Sequence, residues 1–231
     1  MTQRYTVDDL YRYSYNGDVG KLRVVLSNNK SLINNKSNCG WTSLHLAAGQ
    51  GHHQICRELI INGANIDSRD KSGFTPLHLA SSQGNINCVK LLIEKGSSIH
   101  SKSKTGKTPL YLASCQGKVE CINMLLLKGA DIEARDKHGV AAVHVAAFVG
   151  KIESLKILVD EGANIESRTN LGNTPLILAA EGGHTECCKF LLDLDANIKS
   201  RNYRNESALS KAAAFGRVNI IRLLIRKGAI L

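Results

Sequence analysis

Aromatic residues make up only 5% of the 231 positions, and there are just three prolines. Sheets favour aromatic and β-branched side chains, so this shortage beside plentiful Ala, Leu, Ile and Gly argues for many small, close-packed helices. The expected fold class is all-α. No apolar run is long enough to cross a bilayer, and the opening "MTQRYTVDDLYRYSYNGD" lacks the basic-then-apolar order of a secretory signal. Seven cysteines, an odd number, do not form the even framework of a small extracellular domain. Together these absences predict a soluble protein of the cytoplasm or nucleus, with no membrane partner. Enzyme signatures are missing too: there is no Gly-x-x-x-x-Gly-Lys-Ser/Thr, no Gly-x-Ser-x-Gly and no His-Glu-x-x-His. The segment "GKTP" at 106–109 imitates the tail of a phosphate loop without its upstream glycine. No catalytic residue, metal or cofactor is expected.

What the chain has is a repeat. Stepping by 33 from Gly40 gives "GWTSLHLAAGQG", "GFTPLHLASSQG", "GKTPLYLASCQG", "GVAAVHVAAFVG", "GNTPLILAAEGG" and "NESALSKAAAFG" without a slip. Each copy continues into a second apolar stretch such as "CVKLLIEKG" and ends on a segment such as "ANIDSRDKS". Thr-Pro before each "LHLA" starts a helix: the threonine oxygen accepts a backbone N–H, and proline occupies the first turn, where none is needed. The second stretch carries Val89, Leu92 and Ile93 at helical spacing. Two such helices cannot bury their apolar faces alone, so neighbouring copies must stack.

The 33-residue period and the Thr-Pro-Leu-His signature resemble the ankyrin repeat family. The resemblance covers residues 40–231, and "NGDVGKLRVVL" at 16–26 matches the second helix of a degenerate first copy. It implies one solenoid domain of about seven helix-turn-helix repeats with β-hairpin loops. These are a capping repeat at 1–39, five regular repeats (40–72, 73–105, 106–138, 139–171 and 172–204) and a C-terminal cap at 205–231. Three departures stand out. Asp195 sits where other repeats close with Gly63, Gly96, Gly129, Gly162 and Gly228; Ala141-Ala142 replaces Thr-Pro; and Lys211 replaces Leu or Val, as expected of a face with no following repeat.

His45, His78 and His144 share one repeat position and therefore lie in a row rather than a cluster. Metal ligation and general-base catalysis both need partners within bonding reach, so these histidines are assigned to the scaffold, bonded to neighbouring backbone as the resemblance implies. Cys56, Cys88, Cys121, Cys187 and Cys188 fall at apolar core positions, while Cys39 and Cys115 are expected to be exposed.

A net charge of +10 favours an acidic partner. Two residues before each loop tip a cation recurs, forming a basic ladder of Lys36, Arg69, Lys102, Arg135, Arg168 and Arg201. Asp67, Glu133 and Glu166 stand two residues earlier and should partly neutralise their arginines. The excess charge sits at both ends and in the third repeat rather than in a continuous stripe, and few aromatics are available for base stacking, so nucleic acid is an unfavoured partner.

The family resemblance places partner binding on a concave face made of hairpin tips and first helices. Its candidates are Trp41, Lys71, Phe74, Lys104, Lys107, Lys137, His138, Phe148, Tyr203, Arg204 and Phe215, the large aromatics among them as exposed anchors or as shields for the neighbouring tip. The expected function is a non-catalytic, monomeric module binding a partner protein with an acidic or mixed face, as chaperone, inhibitor or adaptor. The opening repeat and "AAVHVAA" in the fifth resemble gankyrin-type proteasome assembly chaperones, which would imply a proteasomal ATPase as partner. An enzyme regulator or an enzyme with a hidden site, and a binder of acidic polymers, are the alternatives from other classes.

Overall fold

The computed structural model describes residues 5–230, so the extreme ends of the first and last repeats, 1–4 and 231, lie outside the described residues. Contacts group the chain into two compact units. One runs to Pro109 and takes in Leu127–Gly129; the other comprises Leu110–Leu126 and continues from Ala130.

The first unit contains α1 (Val7–Asn16), α2 (Val19–Asn28), a 3-10 turn (Lys30–Asn34), α3 (Ser43–Gln50), α4 (His53–Ile61), α5 (Pro76–Gln83) and α6 (Ile86–Glu94). The short helix of each repeat packs on its counterpart in the next, α1 on α3 and α3 on α5, and the longer helices do likewise, α2 on α4 and α4 on α6. Leu44, Leu59, Leu77 and Leu92 are fully buried between them. The second unit, but for the end residues Pro109 and Leu127, contains α7 (Pro109–Gln116) and α8 (Val119–Leu127). Next come α9 (Ala142–Phe148), α10 (Ile152–Asp160), α11 (Pro175–Gly182), α12 (Thr185–Asp193), α13 (Ala208–Ala214) and α14 (Val218–Arg226). Here α11 lies between α9 and α13, and α12 contacts both α10 and α14.

The hairpin loops close tightly without a named strand among the described residues. In the loop ending the second repeat, Asp70 N donates to Phe74 O at 3.0 Å and Gly73 N to Asp70 O at 3.0 Å. Only Arg201 and Ser207 form an isolated antiparallel bridge. The leading glycines have positive φ and no room for a side chain: a Cβ on Gly73 would lie 2.8 Å from Lys104 N, and one on Gly172 2.9 Å from Tyr203 N. Asn205 takes the same left-handed turn at φ 61 in the repeat at 205–231.

Each of the three histidines closes a helix start. His78 Nδ1 accepts from Thr75 N at 3.1 Å and from its hydroxyl at 2.9 Å, while Nε2–H donates to Lys107 O at 3.0 Å. His45 repeats this with Thr42 and Phe74 O. His144 accepts from Ala141 N at 3.2 Å and donates to Ser167 O at 2.9 Å, so the turn survives where alanine supplies no capping oxygen. All three rings are fully buried. Burial, which penalises the charged ring, lowers all three pKa values, that of His78 to about 4.

The cysteines at core positions are buried, and burial pushes the thiols of Cys121 and Cys187 up to about 11 and that of Cys188 to about 12. Cys39 is exposed, but Cys115 is half-buried, contrary to expectation, because it lies within α7 rather than in a loop.

Two predictions follow from this geometry. Asp195 is left-handed at φ 58, and at its counterparts Gly63, Gly96, Gly129 and Gly162 an added Cβ would meet nothing within 4 Å, so backbone strain is the only penalty. Asp195→Gly relieves about 1 kcal/mol and should raise the melting temperature by about 2–4 °C. Gly73→Ala, which adds a clash with backbone, should lower it.

The second prediction concerns pH. A histidine with a depressed folded pKa binds its proton more readily in the unfolded chain, so its stabilisation is full above pH 6.5 and fades as pH falls towards about 4. For His78 the loss at pH 5 is about 2 kcal/mol. Urea midpoints at pH 7.5 and pH 5 should show this fall, and His78→Gln should reduce it, leaving the share of His45 and His144.

Candidate interaction surface

The loops carry two rows of cations with different fates. In the ladder, Lys36, Arg69, Arg135 and Arg168 are each spent on backbone of the following loop. Lys36 Nζ donates to Arg69 O at 2.8 Å, and Arg69 NH1 donates to Lys102 O at 2.6 Å and Gly73 O at 3.2 Å. In the second unit Arg135 donates to Arg168 O, and Arg168 donates to Arg201 O at 2.8 Å and Gly172 O at 3.1 Å. Arg201 turns instead to Asn205 O in its own loop at 2.9 Å.

The acids expected to neutralise these arginines mostly do other work. Asp67 accepts from Ser97 Oγ at 2.7 Å and Ser98 N at 3.2 Å, and Glu166 accepts from Asn197 N at 2.6 Å. Glu133 accepts from Asn164 N at 2.9 Å and makes the one direct pair with its arginine, Arg135, at 3.8 Å. These carboxylates tie the end of one repeat's second helix to the preceding loop, a role that short-range charge spacing does not reveal.

At the tips the backbone bonds and the lysine side chains stay free. Lys71 N donates to Cys39 O at 3.0 Å and Lys104 N to Ser72 O at 2.8 Å. In the second unit Asn170 N donates to His138 O at 2.9 Å and Tyr203 N to Leu171 O at 3.0 Å. The side chains of Lys71, Lys104, Lys137, His138 and Arg204 are exposed, and Tyr203 is 73% exposed. Among the described residues, the ammonium groups of Lys71, Lys104 and Lys137 have no hydrogen-bond or ion-pair partner.

The aromatic anchors divide. Trp41 is exposed but held, its indole N–H donating to Asp70 Oδ2 at 3.1 Å. With His45, Leu46, Gln50, Leu79 and Gln83 it lines a cleft of ≈ 200 Å³ beside α3 and α5. Phe74 is half-buried rather than exposed, because its ring packs on that of His78 with centroids 5.5 Å apart; it shields the turn. Lys107 is likewise half-buried. Phe148, the last residue of α9, and Phe215, just past α13, are exposed.

Lys211 corrects the sequence reading most clearly. It is not at a bare end of the stack: its ammonium lies 3.0 Å from Glu206 and 3.6 Å from Glu181, and only 13% of the side chain is exposed. The same carboxylate of Glu206 accepts from Asn202 Nδ2 at 2.8 Å, and that amide also donates to Asn173 Oδ1 at 2.8 Å. Sequence reasoning missed this network; the signal was two acids, Glu181 and Glu206, at repeat positions facing the one lysine in an apolar column. No group of His, Cys, Asp or Glu among the described residues is arranged to hold a metal ion, and none of their helices is long and apolar enough to cross a membrane.

Comparison with known proteins agrees with this architecture. The family model "Ankyrin repeats (3 copies)" matches residues 10–103, 54–136, 95–169 and 143–231. No curated protein sequence matches significantly. Among solved structures, the human ASB11 ankyrin repeat domain is similar at a TM-score of 0.86 and 26% identity, covering 96% of this chain and 98% of that one. With its 33-residue period, capped helix starts and stacked hairpins all in place, the chain belongs to the ankyrin repeat family, whose repeats serve as protein–protein interaction modules.

Proposed function

We propose that this chain is a non-catalytic adaptor that holds an acidic segment of a partner protein along its loop tips and the adjoining first helices. One observation carries the reading: of the two basic rows, the ladder is occupied by backbone carbonyls, whereas the tip lysines Lys71, Lys104 and Lys137 stand exposed and unpaired on backbone that is itself held. Pre-ordered, unspent charge favours a complementary partner, since little freedom is lost on binding. Trp41 in the first unit and Phe148, Tyr203 and Phe215 in the second are exposed aromatics that offer apolar contacts. The alanine pair of the fifth repeat is absorbed into the ordinary turn by His144, so it adds nothing in favour of a proteasomal ATPase as the partner.

The two rows separate experimentally. Charge reversal at the tips (Lys71→Glu, Lys104→Glu and Lys137→Glu together) should weaken binding of a Glu/Asp-rich peptide about tenfold or more and leave the melting temperature unchanged. Binding that survives the triple change sinks the proposal. Equal loss of heparin binding with a steep salt dependence would make the protein a binder of acidic polymers instead. Arg168→Leu should do the reverse, removing charge-assisted bonds worth about 1–2 kcal/mol of stability while peptide affinity holds, as thermal melts and titration calorimetry would show.

A further inference from the structure

A stack of repeats ordinarily ends in a polar outer face. The first repeat largely conforms: α1 and α2 expose Asp8, Arg12, Asn16, Lys21, Arg23 and Ser27, with Tyr15 and Val24 as the large apolar exceptions. The last repeat does not. Ala213 is exposed, although its counterparts Ala48, Ser81, Ser114, Ala147 and Ala180 are fully buried. Ile221 is half-buried where Cys56, Val89, Ile122, Leu155 and Cys188 are fully buried. Val218 is 54% and Ile225 55% exposed. Val218, Ile221 and Ile225 follow the i, i+3, i+7 spacing of a single helical stripe on α14, continued by Ala213 on α13.

The stripe has a charged border of one sign. Arg222 and Arg226 follow Ile221 and Ile225 directly, about 100° further round the helix, and neither has a partner among the described residues. No acidic residue occurs from Ser207 to the last residue.

We propose that the outer face of α13 and α14 docks an amphipathic helix of a partner protein, whose apolar stripe is bordered by acidic side chains. Two lines support this occupant. The face continues the packing by which α11 receives α13 and α12 receives α14: the positions of Ala213 and Ile221 are buried, and those of Val218 and Ile225 at least half-buried, in the five repeats before it, so a helix is the shape it accepts. Arg222 and Arg226 then select acidic borders. A second copy meeting this face with its own would set those arginines against each other. The surface is separate from the tip lysines and stands or falls independently of them.

The probe is a fluorescent helical peptide of about 18 residues with a leucine stripe bordered by glutamates, titrated at low salt against the intact chain, beside a twin bordered by lysines. The glutamate peptide should bind about tenfold more tightly than the lysine twin. Ile225→Asp should abolish binding of both. The exposed double change Arg222→Glu with Arg226→Glu should reverse the preference without altering the melting temperature, and the tip triple variant should bind as the wild type does. The proposal is overturned by no binding at about 1 mM peptide, by equal affinity for the twins, or by indifference to these changes. Sedimentation showing a dimer that Ile225→Asp dissolves would also overturn it, because the occupant would then be a second copy.

Discussion

Successive hairpin loops lie amide against carbonyl, and the rest of the structure depends on that closeness. Lys71 N on Cys39 O and Lys104 N on Ser72 O fix the loops of the first unit; Asn170 N on His138 O and Tyr203 N on Leu171 O fix those of the second. At this separation a Cβ at the leading position would enter the next backbone, which is why Gly40, Gly73, Gly139 and Gly172 are glycines for reasons of space as well as of φ. It also brings the carbonyls of one loop within reach of the guanidinium, imidazole or ammonium of the loop before. The 33-residue period is the sequence trace of this contact.

Cations of one type thereby acquire opposite roles two residues apart. A ladder arginine donates across to the next repeat's carbonyl, so its charge strengthens a structural bond in a half-shielded place and is little available to anything else. A tip lysine stands where the backbone has already satisfied its own bonds, and its ammonium remains in solvent. The net charge of +10 therefore overstates what a partner would meet.

How much of this was legible in the sequence depended on the range of the interaction. Helix starts rest on local chemistry, Thr75 with His78 three residues on, and could be read directly. The scaffold role of the histidines followed from their spacing, since a row 33 residues apart cannot gather around one ion. Lys211 could not be placed, because its partners Glu181 and Glu206 come from a neighbouring repeat and from the loop that leads into its own helix. For Phe74, exposure was expected from a variable position, yet the buried His78 ring beside it supplies an apolar wall that the aromatic covers. Asp67 and Glu166 looked like counter-ions because two residues bring them close to arginines in the sequence. In the fold, a backbone N–H some 31 residues away is the nearer donor.

Local stability in a stacked chain is a sum of what each repeat supplies and what its two neighbours add. Interior repeats can therefore tolerate weak local signals: the fifth lacks a capping oxygen at Ala141 and the sixth carries a strained Asp195, and both are held from either side. Among the described residues, the last repeat packs on one neighbour, through α11 and α12. It compensates on its inner side with the buried ammonium of Lys211 between two carboxylates and with Lys227 on Asp193 at 2.9 Å. On its outer side it leaves Ala213, Val218, Ile221 and Ile225 without the contacts that their counterparts receive. Any helix that binds there would supply the missing neighbour term, so occupancy of that face and the order of α13 and α14 are thermodynamically linked: each strengthens the other by the same free energy.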